Sequence, residues 1–340
     1  MDTVSLVVGS PRGRYFCANV GYACSDDRDH PNALVQSPDE VLDAIQSVDT
    51  AAVERLSEIE LLAALGLAVD MARYWQPPDR EDLMFARPDI SAALRPIAHA
   101  VLASARTRWW ADPVDLDDQH VVEKLAARSG WSELPPRIRC GDDHLESWRN
   151  EALATELQFR EYLITDPSRQ ISGEWWSAPI TGGSPVTTRA WGQLGPLGLR
   201  LEEDENSDYT HARVWPVKVH GTPRVYEITG PADWAGLVDT YPLPVPASRR
   251  SVWYDTTGEH HDWFLPDWQA VATDYDAVHL TVLGYLTSAG IAIPLTEHTG
   301  ATVLAGWDPD ATFWLRSDFI TVDADLSDWS WTDQGPWVPA

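Results

Sequence analysis

The sequence predicts an α+β protein, with an N-terminal hairpin and helical region followed by a mostly antiparallel sheet with short helices. Three observations carry this. Helix-start signatures sit in the first part, where Ser37 pairs with Glu40 and Ser57 with Glu60. After Ile171 the apolar spacing changes from helical to extended. Beyond that point short apolar runs are separated by Gly, Pro and Ser, as in a sheet of short strands.

Taken in order, Val4–Val8 and Tyr15–Val20 are β-rich runs around Gly9-Ser10-Pro11-Arg12-Gly13, which reads as a hairpin. A strand after that turn argues against a phosphate cradle, which would open into a helix. Pro38 stands at the first helical position after Ser37. From Glu58 to Trp75 little polar surface remains, so this helix is expected in the middle of a bundle. Further helices are expected over Ile90–Arg106, bent or interrupted at Pro96, and over Gln119–Arg128, with His99 buried among apolar neighbours. RWWADPVDLDD, from Arg108, reads as a loop with an aromatic anchor. The weak pattern between Gly130 and Asp143 marks the junction of two parts, 1–140 and 141–340, which could still share one core.

Leu145–Leu163 is expected as an amphipathic helix, with Trp148, Leu153, Leu157 and Tyr162 inward and Arg149, Glu151, Glu156 and Glu161 outward. HARVWPVKVHG and TPRVYEI read as strands. A helix opens near Gly230 with Trp234, Leu237 and Val238 inward, and another runs over Pro266–Tyr275. Ala277–Val282, Ala301–Trp307 and Ala311–Leu315 complete the strands, and the acidic, Trp-rich tail is expected to dock on the body of the protein.

The formal net charge of −27 over 340 residues disfavours duplex nucleic acid, whose affinity comes largely from Lys and Arg. Cys17, Cys24 and Cys140 form no zinc spacing, and no metal is expected. No long apolar run predicts a membrane span, and neither that nor the opening residues suggest export, so the expected location is cytoplasmic.

The chemistry-bearing residues gather after Gly173. Trp175, Trp176, Trp253, Trp263, Trp268 and Trp307, interleaved with Arg189, Arg224, Arg249 and Arg250, could form a stacking pocket with a phosphate clamp. Glu227 follows Tyr226 on a strand, so the two face opposite ways; Glu227 is a base if it faces a cleft and a surface carboxylate otherwise. Asp276 and His279 face opposite ways and do not pair. His260 and His261 read as loop residues, and Ser177 lacks the glycines of a nucleophile elbow.

The series GEWWSAP, TTRAW, RVYEIT and DYDAVHLT, followed by TVLAGWDPDATFWL, resembles the strand order of small bacterial mono-ADP-ribosyltransferase domains over Gly173 to Leu315. The resemblance implies NAD held in the crevice of a split sheet. It carries Ser177 onto the serine strand and Arg189 or Arg224 onto the dinucleotide grip; Trp176 and Tyr226 are the aromatic candidates for the cofactor, and Glu227, the candidate carboxylate, stands on an earlier strand than the family's catalytic glutamate. An STS run and a QxE or ExE pair are absent. The whole chain also resembles, in style, two-part proteins of high-GC actinobacteria, which supplies no activity.

Two readings of function follow. The first is an NAD-using ADP-ribosyltransferase or NAD-hydrolysing enzyme acting on a protein or small-molecule acceptor. The second is an acidic binding protein, of antitoxin, immunity or inhibitor type, that meets a basic protein partner.

Overall fold

The computed structural model describes residues 2–24, 37–126, 143–170, 173–179, 184–205, 208–332 and 335–340. Most of the expected junction, with Cys140, lies outside these residues.

The first part is helical from its start. Helices α1 (Thr3–Gly9) and α2 (Pro11–Ala23) stand where the hairpin was expected. The valine-rich runs are overruled by caps: Asp2 accepts from the Ser5 N–H, Ser10 accepts from the Gly13 N–H, and Pro11 takes the first helical position. A Cβ at Gly13 would lie 2.0 Å from the Val7 carbonyl oxygen, so glycine is what lets α2 fold back against α1. The glycine-containing turn therefore does open into a helix N-terminus, contrary to the expectation.

Next come α3 (Pro38–Gln46), the short α4 (Thr50–Val53), α5 (Glu58–Asp70), α6 (Arg80–Phe85) and α7 (Pro88–Ala103). Both expected capping boxes form. Pro96 lies inside α7, and His99 is exposed rather than buried. A 3-10 turn over Ala105–Ala111 buries Trp109 and Trp110, the expected anchor.

QHVVEKLA forms a strand, β1 (Gln119–Ala126), not a helix. Eight consecutive residues find partners on β3 (Tyr209–Val219), and β-branched Val121 and Val122 suit that pairing. Between them lie α8 (His144–Thr165) and β2 (Val186–Thr187). On α8 the buried face is Leu145, Trp148, Ala152, Glu156 and Phe159. Glu156 points inward and Leu157 outward, reversing the expectation, because the Glu156 carboxylate accepts from the Ala247 and Ser248 N–H groups at 3.1 and 2.8 Å.

The remaining elements are β4 (Val225–Ile228), α9 (Pro231–Thr240), β5 (Pro242–Pro244), α10 (Arg250–Thr257), β6 (Phe264–Pro266), α11 (Trp268–Asp274), β7 (Ala277–Leu280), α12 (Val282–Ser288), β8 (Ile293–Pro294), β9 (Ala301–Thr302), β10 (Thr312–Trp314), β11 (Ile320–Val322), β12 (Ser327–Thr332) and β13 (Gly335–Pro339). One sheet is antiparallel, ordered β1-β3-β12-β13 with β11 also on β3. A second is ordered β2-β10-β7-β4, with β4 and β7 parallel. Reciprocal backbone bonds between His120 and Thr188 tie the two together. The α+β class holds, with most strand pairs antiparallel. One apolar cluster takes in Val7, Leu65 and Ile97 together with Trp234, Tyr285 and Leu315, so both parts of the chain contribute to the same core. The tail docks as expected, burying Trp329 and Trp337.

Candidate functional site

The parallel pairing of β4 with β7 places Glu227 beside His279, and β10 places Thr312 on the other side of His279. Side chains in register on neighbouring strands share a face, so a polar row crosses the second sheet. Glu227 Oε2 lies 2.6 Å from His279 Nδ1, and its Oε1 accepts from the Val114 N–H at 3.1 Å. His279 Nε2 is 3.4 Å from Asp310 Oδ1, which also accepts from Arg189 Nε at 2.6 Å. Arg189 further donates to the Pro113 carbonyl at 2.8 Å and lies over the Trp109 ring, which stacks on Trp191. Asp310 adopts a φ of 62°, a left-handed conformation that aspartate tolerates, at the end of the Asp-Pro-Asp turn.

His279 is buried. Burial disfavours its charged form, but hydrogen bonds to the Asp310 and Glu227 carboxylates, with their negative charges, more than offset this and hold its pKa above the usual histidine value. A carboxylate faces each ring nitrogen, an arrangement that favours the protonated, doubly donating form, and Glu227, His279, Asp310 and Arg189 make one chain of contacts. The ring does not present a free basic nitrogen.

Two of the residues singled out from sequence, Glu227 and Arg189, thus meet in one network; the others lie elsewhere. Ser177 is buried, its hydroxyl donating to the Ala305 carbonyl and accepting from the Ala305 N–H, both at 3.0 Å. It fastens its loop to the segment that follows β9. Trp176 offers its carbonyl to Arg249 at 3.3 Å. Arg224 donates its backbone N–H and its guanidinium to Asp276 at 2.8 and 3.3 Å, and Tyr226 donates to the Asp233 carbonyl at 2.7 Å. Trp253, Trp263, Trp268 and Trp307 are core residues and line no stacking pocket, because their ring faces are covered by one another and by neighbouring apolar groups. As expected, Asp276 and His279 have separate partners.

Sequence reasoning passed over three openings. A groove of about 330 Å³ runs between α5 and the β12–β13 hairpin, lined by Ile59, Ala63, Leu67, Trp331 and Trp337 with Asp70 and Glu205. Ile59, Ala63 and Leu67 repeat every four residues and form one exposed stripe. The expectation that α5 lies in the middle of a bundle therefore fails on one face. The Asp70 carboxyl sits above its usual range, through burial first and the nearby Glu205 charge as well.

A cavity of about 360 Å³ is lined by His120, Lys124, Glu202 and Asp308. Lys124 pairs with Glu202 and Glu205 at 2.9 and 2.6 Å. Asp308 is enclosed by protein apart from this opening, and burial pushes it up to about 7. Behind it the Glu203 carboxyl is raised by burial and by Asp308, and rests against the Tyr285 hydroxyl. The third opening, about 490 Å³, lies between the start of α2 and α12 with its following loop. Pairing and stacking partners far apart in the chain form all three, and no local motif announces them.

Among the described residues no group of three or more His, Cys, Asp or Glu side chains is arranged to hold a metal, and no helix is long and apolar enough to cross a membrane. No family model, curated protein or solved structure matches the chain.

Proposed function

We propose that the protein is an acidic binding protein that seats a basic, amphipathic segment of a partner protein in the groove between α5 and the β12–β13 hairpin. The carrying observation is the open stripe of Ile59, Ala63 and Leu67 facing Trp331, an apolar surface left uncovered beside Asp70, Glu205 and Arg200. Apolar anchors flanked by charge are what an amphipathic helix or strand needs in order to dock. The net charge of −27 favours a cationic segment, and Asp70, raised by burial and by the nearby Glu205 charge, would gain from a Lys or Arg beside it, while Glu205 keeps its pairing with Lys124.

The NAD-using transferase reading draws less support. Ser177, Trp176 and Arg224 are held in separate places by backbone or carboxylate partners, while Arg189 and Glu227 satisfy each other through His279 and Asp310.

The test is calorimetric titration of the whole protein with a synthetic Lys/Leu amphipathic helix at low and at moderate salt. Binding is expected to weaken with salt and to drop at least about tenfold in Trp331→Ala and in Leu67→Asp. Undetectable binding, or binding indifferent to both substitutions, would sink the reading. Thermal stabilisation by NAD alone would return the enzyme reading to the front.

A further inference from the structure

The hairpin wall of the groove ends in a sheet edge. β13 comes last in the order β1-β3-β12-β13, so among the described residues one side of it has no strand neighbour. An open edge is a ready template for a further strand, and a groove beside one could take its partner that way. Which backbone groups reach the edge follows from the pairing with β12. The Ala340 N–H donates to the Asp328 carbonyl at 2.9 Å, and two residues back Val338 stands opposite Ser330. Antiparallel residues alternate in the direction of their backbone groups. Ala340 and Val338 therefore turn theirs toward β12, and Trp337 and Pro339 turn theirs to the edge.

Neither outward residue can serve a new strand in full. Pro339 has no N–H to donate. The Trp337 carbonyl already accepts from the Arg200 guanidinium at 2.9 Å, and the same group donates to the Leu194 carbonyl at 3.1 Å. Arg200 is seated against α5 as well: a Cβ at Gly66 would lie 2.9 Å from the Arg200 carbonyl oxygen, so the two backbones meet where glycine permits it. The edge is thus plugged from the side of the groove.

The opposite wall suits a helix. Ile59, Ala63 and Leu67 stand four residues apart, about 6 Å along the axis for each step, which is also the spacing of side chains four apart on a second helix. Ile59 and Leu67 are 43% and 54% exposed, and the small Ala63 between them leaves a hollow that one larger side chain can fill.

We propose that the groove takes its partner's segment as an α-helix lying along α5, with apolar anchors between the Ile59–Leu67 stripe and Trp331, and not as a strand added to β13. This mode rests on the partner-binding reading of the groove. Asp70, three residues beyond Leu67 and also lining the groove, then faces a basic residue about one turn past those anchors.

The experiment titrates the whole protein, by calorimetry, with one Lys/Leu peptide in two forms: linear, and with a lactam bridge between a Lys and a Glu four residues apart on its polar face. The bridge sets the helix in advance, so it should tighten binding at least about threefold by removing part of the ordering cost. With isotope-labelled carbonyls, the bound linear peptide should give a helical amide band in the infrared. Bridged peptide binding no more tightly than linear, or a strand band for the bound peptide, overturns the helical mode; the groove itself stands if Trp331→Ala and Leu67→Asp still lower the affinity. Undetectable binding of both forms, or affinities indifferent to both substitutions, overturns the groove reading and the helical mode with it.

Discussion

The polar row from Glu227 to Arg189 and the first turn of α2 both bring guanidinium groups into the interior, and they differ in what answers them. In the row every charge meets another: Arg189 and His279 share Asp310, and Glu227 closes the other side of the ring. At α2, Asp82 answers Arg12, backbone carbonyls answer Arg14, and donors are left over. A closed network of buried charges holds elements in register, whereas an unfinished one leaves donors enclosed without an acceptor. Residue type does not separate the two cases. Arg189, singled out for gripping a dinucleotide, belongs to the closed network, and Arg12, dismissed with its turn, belongs to the open one.

The largest effect should come from cutting the closed network. Asp310→Ala leaves Arg189 and His279 without their shared carboxylate, and urea denaturation should show a loss of about 3–5 kcal/mol. A loss under about 1 kcal/mol would mean that water answers the two cations and that the row is not closed.

A second expectation concerns pH. His279 has a folded pKa above its unfolded value, so its contribution is fully present below the unfolded value and is lost as pH rises through the folded one. Asp308 is raised as well, to about 7, so its contribution is full below the ordinary aspartate range and fades as pH climbs toward 7. Both slopes have the same sign. Stability should therefore fall between pH 5 and 8, and Asp308→Asn, which can still accept from the Glu203 N–H, should flatten the part below 7. A parent protein that gains stability over that range would contradict both assignments.

A smaller effect is expected at Ser177. Its alanine variant loses the hydroxyl's two bonds to Ala305 and should be destabilised by about 1–2 kcal/mol, with no change in any ligand affinity. A ligand affinity that dropped with it would put Ser177 back into a site.

The smallest effect on stability belongs to the groove. Leu67→Ser removes an exposed side chain and should change the unfolding free energy by less than about 0.5 kcal/mol. A cost near that of a core leucine would show that the groove is filled in solution by the protein itself.

Much of this fold was legible because its signals are local. Ser37 with Glu40 and Ser57 with Glu60 start helices by bonds three residues apart, and Trp234, Leu237 and Val238 are spaced to share one helix face. Failures came where distant partners decided. QHVVEKLA is a strand because β3 pairs with it, and Glu156 turns inward because the Ala247 and Ser248 N–H groups wait there. The opening valine runs are helical because Asp2 and Ser10 cap them and Gly13 lets α1 and α2 touch. Of the candidate site, the opposite facing of Asp276 and His279 followed from strand period alone. The meeting of Glu227 with His279 required knowing that β4 and β7 are parallel neighbours, although 52 residues separate the two side chains.

The groove also has a history in time. Its α5 wall is made early by the ribosome, and Trp331 and Trp337 of the opposite wall more than two hundred residues later, since Ile59, Ala63 and Leu67 bound it on one side and the two tryptophans on the other. Until the hairpin closes on β3, a nascent chain carries the Ile59, Ala63 and Leu67 stripe with nothing facing it. The groove is thus completed last, and a chain arrested during synthesis would display an apolar helix stripe of the kind chaperones recognise.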